Sequence, residues 1–142
     1  MNKILVVDHE KNIRKILSKV LSSMGFEVAA ASSGNEGLNL FLKSSFGLVL
    51  TDLQMPDMDG WTLAFNIKEE SPDTPVVLMT GEEKGGVVER LKGSCLDSVI
   101  FKPFLLEDIK KTVQNVLHTG RLQMTTSVSS KSRPSSKKMD LA

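Results

Sequence analysis

With 142 residues, a formal net charge of +1 and a single cysteine, the chain is long enough to bury one core and too short for two ordinary domains. An internal disulfide is excluded, and no Cys or His cluster has the spacing of a zinc module. No apolar run reaches the roughly 20 residues that cross a bilayer, and no signal-peptide pattern precedes Ile4, so a cytoplasmic location without membrane attachment is expected.

Taken in chain order, the first apolar run, Ile4–Val7, predicts a strand. A helix follows, with Ile13, Ile16, Leu17, Val20 and Leu21 spaced as one apolar stripe and Gly25 as its stop. Phe26–Ala30 predicts the second strand. The next helix takes Ser33 as N-cap, turns Leu38, Phe41 and Leu42 inward and ends near Ser44. Leu48–Leu50 is the third strand. The helix after Gly60 carries Leu63, Ala64 and Ile67 and stops at Ser71-Pro72-Asp73.

Val76–Met79 is the fourth strand. A short helix around Val87, Val88 and Leu91, flanked by glycines, is expected to be the most mobile element. Val99–Phe101 is the fifth strand, and the last helix uses Ile109, Val113, Val116 and Leu117 and ends at Gly120. His118 near that end complements the helix dipole.

Strand and helix thus alternate throughout, and the first and fourth strands are continuously apolar, as when helices cover both faces of a parallel sheet. A doubly wound α/β domain over residues 1–119 is expected, with flavodoxin-like strand order 2-1-3-4-5 as the leading topology. Residues 120–142 turn to Ser, Thr, Lys and Arg and predict a disordered tail: a truncated linker, a native extension or an expression remnant. Charge divides the same way. Residues 1–119 hold 13 Lys and Arg against 16 Asp and Glu, a net −3, and residues 120–142 hold 5 against 1, a net +4. An acidic folded part argues against nucleic-acid binding over a broad surface.

In an open parallel sheet, ligands bind beyond the carboxyl ends of the strands. There the chain places Asp8, Asp52, Thr80 and Lys102, each directly after an apolar run. Taken singly, each is explained as a turn residue or a cap; four at four strand ends are not. Two carboxylates about 4 Å apart repel by roughly 4 kcal/mol at an effective dielectric near 20, so the pair needs cations. Lys102 supplies one charge, and oxygen ligands of this kind suit Mg²⁺ for the rest. A carboxylate so placed can attack a phosphoryl group and form an acyl phosphate. Asp52 on the central strand is the nucleophile of choice, with Thr80 donating to a phosphoryl oxygen.

The stretches Ile4-Leu5-Val6-Val7-Asp8, Asp52-Leu53-Gln54-Met55-Pro56-Asp57-Met58-Asp59-Gly60, Met79-Thr80-Gly81 and Lys102-Pro103-Phe104 together resemble the receiver domains of two-component response regulators. The likeness covers about residues 2–118. It implies that Asp52 accepts a phosphoryl group from a sensor histidine kinase or phosphotransfer protein. It implies Mg²⁺ held by Asp8, Asp52 and the backbone carbonyl of Gln54, with Lys102 and Thr80 sensing the phosphoryl group. A downstream protein would then read the face made by the fourth helix, fifth strand and last helix. A cis Lys102–Pro103 bond is implied too. No DNA contact by the domain itself is expected, a homodimer stays open, and the only catalysis implied is the domain's own phosphoryl transfer and slow dephosphorylation.

Two departures stand out. His9 holds the position of a second acid, and imidazole prefers Zn, Cu, Ni or Fe to Mg²⁺. Either His9 weakens Mg²⁺ binding, with Glu10 or water substituting, or His9 points away. Val99 stands where the family has an aromatic switch, and Phe101 cannot replace it, because both lie on the side of the pleat opposite Lys102. Asp57 and Asp59 read as turn formers and a helix start rather than ligands, and Trp61 as packing at the core or rim. Two rival readings remain. One is a degenerate receiver that docks without phosphorylation; the other is a haloacid-dehalogenase-type phosphatase using Asp8 and Glu10, which leaves the Asp52 loop unexplained.

Overall fold

The computed structural model describes residues 2–81, 86, 89–91 and 94–126. Five strands, β1 (Lys3–Val7), β2 (Glu27–Ala31), β3 (Leu48–Asp52), β4 (Val76–Thr80) and β5 (Ser98–Phe101), form one all-parallel sheet in the order β2-β1-β3-β4-β5. The described residues include the helices α1 (Lys11–Ser23), α2 (Gly34–Lys43), α3 (Gly60–Glu70) and α4 (Leu106–Thr126).

The strands bury both faces because successive side chains alternate. On β1, Ile4 and Val6 join Leu17, Val20 and Leu21 of α1 and Ile109 and Val113 of α4 in one core layer. Leu5 and Val7 enter the other layer with Phe41 of α2 and Leu63, Ala64 and Ile67 of α3. Each fully buried aliphatic side chain of this kind contributes about 1.5–3 kcal/mol relative to exposure. The continuous apolar runs are therefore the signature of a sheet packed on both sides.

The local signals mostly act as expected. Ser33 caps α2 by accepting from the Glu36 N–H, Asp59 caps α3 by accepting from the Thr62 N–H, and the chain leaves α1 through Gly25 at φ 95°. Strand ends shift by a residue or two, and Asp52 is the last residue of β3 rather than the first beyond it.

Two predicted core positions are exposed: Ile16 and Leu42. At about 100° per residue, each lies roughly a quarter turn from the centre of its helix's buried face. In α2 that face is formed by Gly34, Gly37 and Phe41, and a count of apolar side chains overlooks glycine. Gly37 is buried because α2 packs tightly on β1; a Cβ there would lie 2.7 Å from Val7 Cγ2.

The last helix continues through Gly120 to Thr126. His118 is thus well inside it, and the proposed complement to the helix dipole does not hold, since that effect is confined to the final turn. Val87 and Val88 of the fourth predicted helix, with its expected mobility, lie outside the described residues, as do residues 127–142 of the tail. Among the described residues, no helix is long and apolar enough to cross a membrane.

Candidate functional site

The carboxyl ends of β1 and β3 deliver Asp8 and Asp52 side by side, both buried, at 0% and 5% exposure. Asp8 is fixed by its backbone: its N–H donates to the Ala31 carbonyl at 3.1 Å and its own carbonyl accepts from Arg14 Nη1 at 2.7 Å. Its Oδ1 accepts from the Glu10 N–H at 2.9 Å, so the turn into α1 holds the carboxylate as well. Asp52 is held through Leu53, whose N–H donates to the Met79 carbonyl at 2.9 Å.

Lys102 reaches across from the end of β5. Its Nζ lies 3.0 Å from Asp8 Oδ2, 3.4 Å from Asp52 Oδ1 and 3.7 Å from Glu10 Oε1. Its backbone N–H donates to the Thr80 carbonyl at 2.7 Å, which ties the ends of β4 and β5 together. Thr80 itself is buried at the tip of β4, and the Lys102–Pro103 bond is cis.

His9 points into the site. Its Nδ1 lies 3.2 Å from Asp52 Oδ2 and 3.9 Å from Asp8 Oδ1, so in this structure the ring faces the acid pair rather than turning away. The two cationic or potentially cationic groups thus flank the acid pair, Lys102 on one oxygen of each carboxylate and His9 on the other.

Burial pushes the Asp52 carboxyl above its ordinary value of 3.8; the Asp8 carboxylate adds to the rise, while Lys102 and His9 offset part of it. For Lys102, burial opposes the charge, but the hydrogen bond to Asp8 and the charges of Asp8 and Asp52 outweigh it and raise its pKa. Because the fold favours the neutral form of Asp52 relative to the unfolded chain, ionising it costs stability. That cost is absent below 3.8 and complete above the raised folded value. Asp52→Asn in the presence of chelator is therefore expected to raise the melting temperature at pH 7, by about 3–6 °C for each kcal/mol recovered in a domain of this size. At pH 3 the gain should vanish; thermal scans showing the same gain at both pH values would contradict this account.

The sequence had placed Asp8, Asp52, Thr80 and Lys102 at strand ends, and the fold gathers those ends. Glu10 sits at the rim as the residue before α1, more than half exposed. Gln54 follows β3 in the exposed part of the loop. Arg14 was overlooked, although a basic residue in the first turn of the helix after Asp8 was the available signal. Asp57 does more than turn the chain: its carboxylate accepts from the Gly34 N–H at 3.2 Å and the Asn35 N–H at 2.8 Å, fastening the loop after β3 to the start of α2. Those bonds hold its carboxyl below the ordinary value. No local spacing announces partners 23 and 22 residues away. Trp61 is half-buried against Leu53 and Leu78, with Arg90 4.5 Å over its ring. Val99 and Phe101 pack in that same cluster, as their shared side of the pleat requires.

One donor atom each from Asp8, His9 and Asp52 lies within 4.8 Å of the others, so the cluster can hold a metal ion. The carboxylates suit a hard divalent cation; the imidazole suits a softer one.

The family model for the response regulator receiver domain matches residues 4–114. The chain belongs to that family. This receiver domain is 39% identical over 118 residues to the regulatory protein AtoC of Escherichia coli, covering 82% of the chain and 25% of AtoC. To the probable transcriptional regulator ycf27 of Cyanidium caldarium it is 35% identical over 116 residues, covering 80% of the chain and 45% of that protein. Among solved structures, a receiver domain protein from Clostridium thermocellum superposes with a TM-score of 0.78 at 30% identity, over 87% of this chain and all of that one, 100%. The chemotaxis protein CheY4 of Vibrio cholerae gives 0.77 at 31% identity, over 82% and 98%. Receiver domains of two-component systems interact with kinases and downstream effectors. The chain spans a quarter to about half the length of these curated relatives, so the expectation of no DNA contact concerns the receiver domain alone.

Proposed function

We propose that Asp52 is the phosphoacceptor. A carboxylate oxygen attacks the phosphorus of a phosphohistidine on a partner kinase or phosphotransfer protein. The P–N bond breaks, the imidazole leaves with the electron pair, and an aspartyl phosphate forms. The observation that carries this is the Asp52 carboxylate itself: buried, yet within 3.4 Å of the Lys102 ammonium. Burial strips it of water, and Lys102 stands where charge accumulates on the transferring oxygens. Thr80 would donate its hydroxyl to a phosphoryl oxygen. Asp8 and Asp52, with the Gln54 carbonyl, would hold a divalent ion, which would neutralise phosphoryl charge.

The domain acts on its own acyl phosphate and on no separate substrate, and the signal passes to a protein partner through the face of β5 and α4. Incubation with acetyl phosphate and a divalent ion, followed by intact mass, tests the acceptor. A phosphate-sized increment is expected in the wild type and none in Asp52→Asn. The same increment in both, or none in either with every ion tried, overturns the proposal.

A further inference from the structure

His9 changes which cation this site suits. Lys102 occupies Asp8 Oδ2 and Asp52 Oδ1, while Asp8 Oδ1, which also accepts from the Glu10 N–H at 2.9 Å, and Asp52 Oδ2 face His9 Nδ1 at 3.9 and 3.2 Å. Ligands sharing one small divalent ion at 2.0–2.2 Å stand about 3 to 3.5 Å apart. The Asp52–His9 pair already has that spacing, and a donor atom of Asp8 lies within 4.8 Å of both.

We propose that the cation site of this chain is a mixed carboxylate–imidazole site, with His9 Nδ1, Asp8 and Asp52 as ligands, that favours a borderline first-row ion such as Zn²⁺ or Co²⁺ over Mg²⁺. Binding displaces any proton on Nδ1 to solvent and leaves the imidazole neutral with its lone pair on the metal. Asp8, Asp52 and Glu10 bring three negative charges against the one positive charge of Lys102, so a dication with a neutral nitrogen ligand leaves the site close to charge balance. Mg²⁺ meets the same residues less well. It requires hard oxygen ligands in near-octahedral order and gives up water reluctantly, so the ring must swing out before an oxygen can take its place. His9 is half exposed and able to do so, at the cost of the Asp52 contact.

This shares with the phosphoacceptor reading only the location of the cation, and its test needs no phosphoryl donor. Calorimetric titration of the full chain with Zn²⁺ and with Mg²⁺ gives both affinities, and Co²⁺ absorption reports nitrogen ligation. All measurements use a Cys95→Ser background, because that exposed thiol is a competing zinc ligand. In the His9→Asp variant the ratio of Zn²⁺ to Mg²⁺ affinity is expected to fall by about tenfold or more, chiefly through gained Mg²⁺ affinity. In His9→Ala, Zn²⁺ affinity should fall by at least about 10–100-fold, the range already reached when only a group supporting a ligand is lost, while Mg²⁺ affinity does not fall and the Co²⁺ band weakens. Both substitutions are at a half-exposed side chain, and circular dichroism verifies the fold. An unchanged ratio in His9→Asp, or Zn²⁺ binding indifferent to His9→Ala, overturns the inference. That result would leave the phosphoacceptor reading standing if acetyl phosphate still modifies Asp52.

Discussion

Lys102→Met is expected to lower the unfolding free energy by about 3 kcal/mol at pH 7, the scale seen when one partner of a buried ion pair is removed. Methionine keeps the length and apolar stem of the side chain. What disappears is the ammonium that faces Asp8, Asp52 and Glu10 at 3.0, 3.4 and 3.7 Å. Two buried carboxylates then confront each other without the ammonium that faces both. The pH dependence follows from the raised Lys102 pKa: its contribution is complete below the ordinary lysine value of 10.5 and fades as pH climbs through the folded value. At the acid end, protonating the carboxylates removes the repulsion that the substitution exposes. Urea unfolding in chelator should thus show a cost at pH 7 that shrinks toward pH 3. A double-mutant cycle with Asp8→Asn should return a coupling of about 1–3 kcal/mol. Additive effects would show that the pair does not interact as the distances imply.

Gly60→Ala is the second large effect, and it arises from shape rather than charge. Gly60 opens α3 where the helix meets the end of β3, and its N–H donates to the Leu53 carbonyl at 2.7 Å. A Cβ at this position would stand 2.6 Å from the Asp52 carbonyl oxygen, 2.7 Å from Leu78 Cδ1 and 3.0 Å from Leu53 Cα. Two of those neighbours are backbone and cannot rotate aside. The start of α3 or the tip of β3 must move, at about 2–3 kcal/mol for overpacking of this kind. Because the displaced backbone carries the proposed acceptor, phosphorylation by acetyl phosphate should also slow, on the order of tenfold or more, as misplacement of a reacting group does. Denaturant unfolding and timed intact-mass measurements check the two effects. Wild-type values for both would show that the contact relaxes without moving Asp52.

Much of this molecule was legible before any coordinates. Continuous apolar strands required a sheet covered on both faces, and acids, hydroxyl and ammonium at strand ends required one site, because a parallel sheet brings all those ends to one edge. What stayed hidden depended on three dimensions. The buried face of α2 is set by Gly34 and Gly37, which no hydrophobic pattern counts, so Leu42 was placed inward. Asp57 binds the start of α2 across a long stretch of chain, and a window of neighbouring residues does not contain its partners. The orientation of His9 was undecided because the chain permits both; the site's own carboxylates draw the ring in. The end of the last helix was misplaced at Gly120, since one glycine weakens a helix by only about 1 kcal/mol and does not by itself end it.

The hydrogen bond from the Lys102 N–H to the Thr80 carbonyl makes the tips of β4 and β5 a single stiff bracket. One arm carries the ammonium and the other the hydroxyl, so on the proposed reading a phosphoryl group arriving on Asp52 would load both arms together. A binding partner that grips either tip would therefore register the same event, and loosening that one peptide contact should uncouple the two reports while leaving Asp52 reactive.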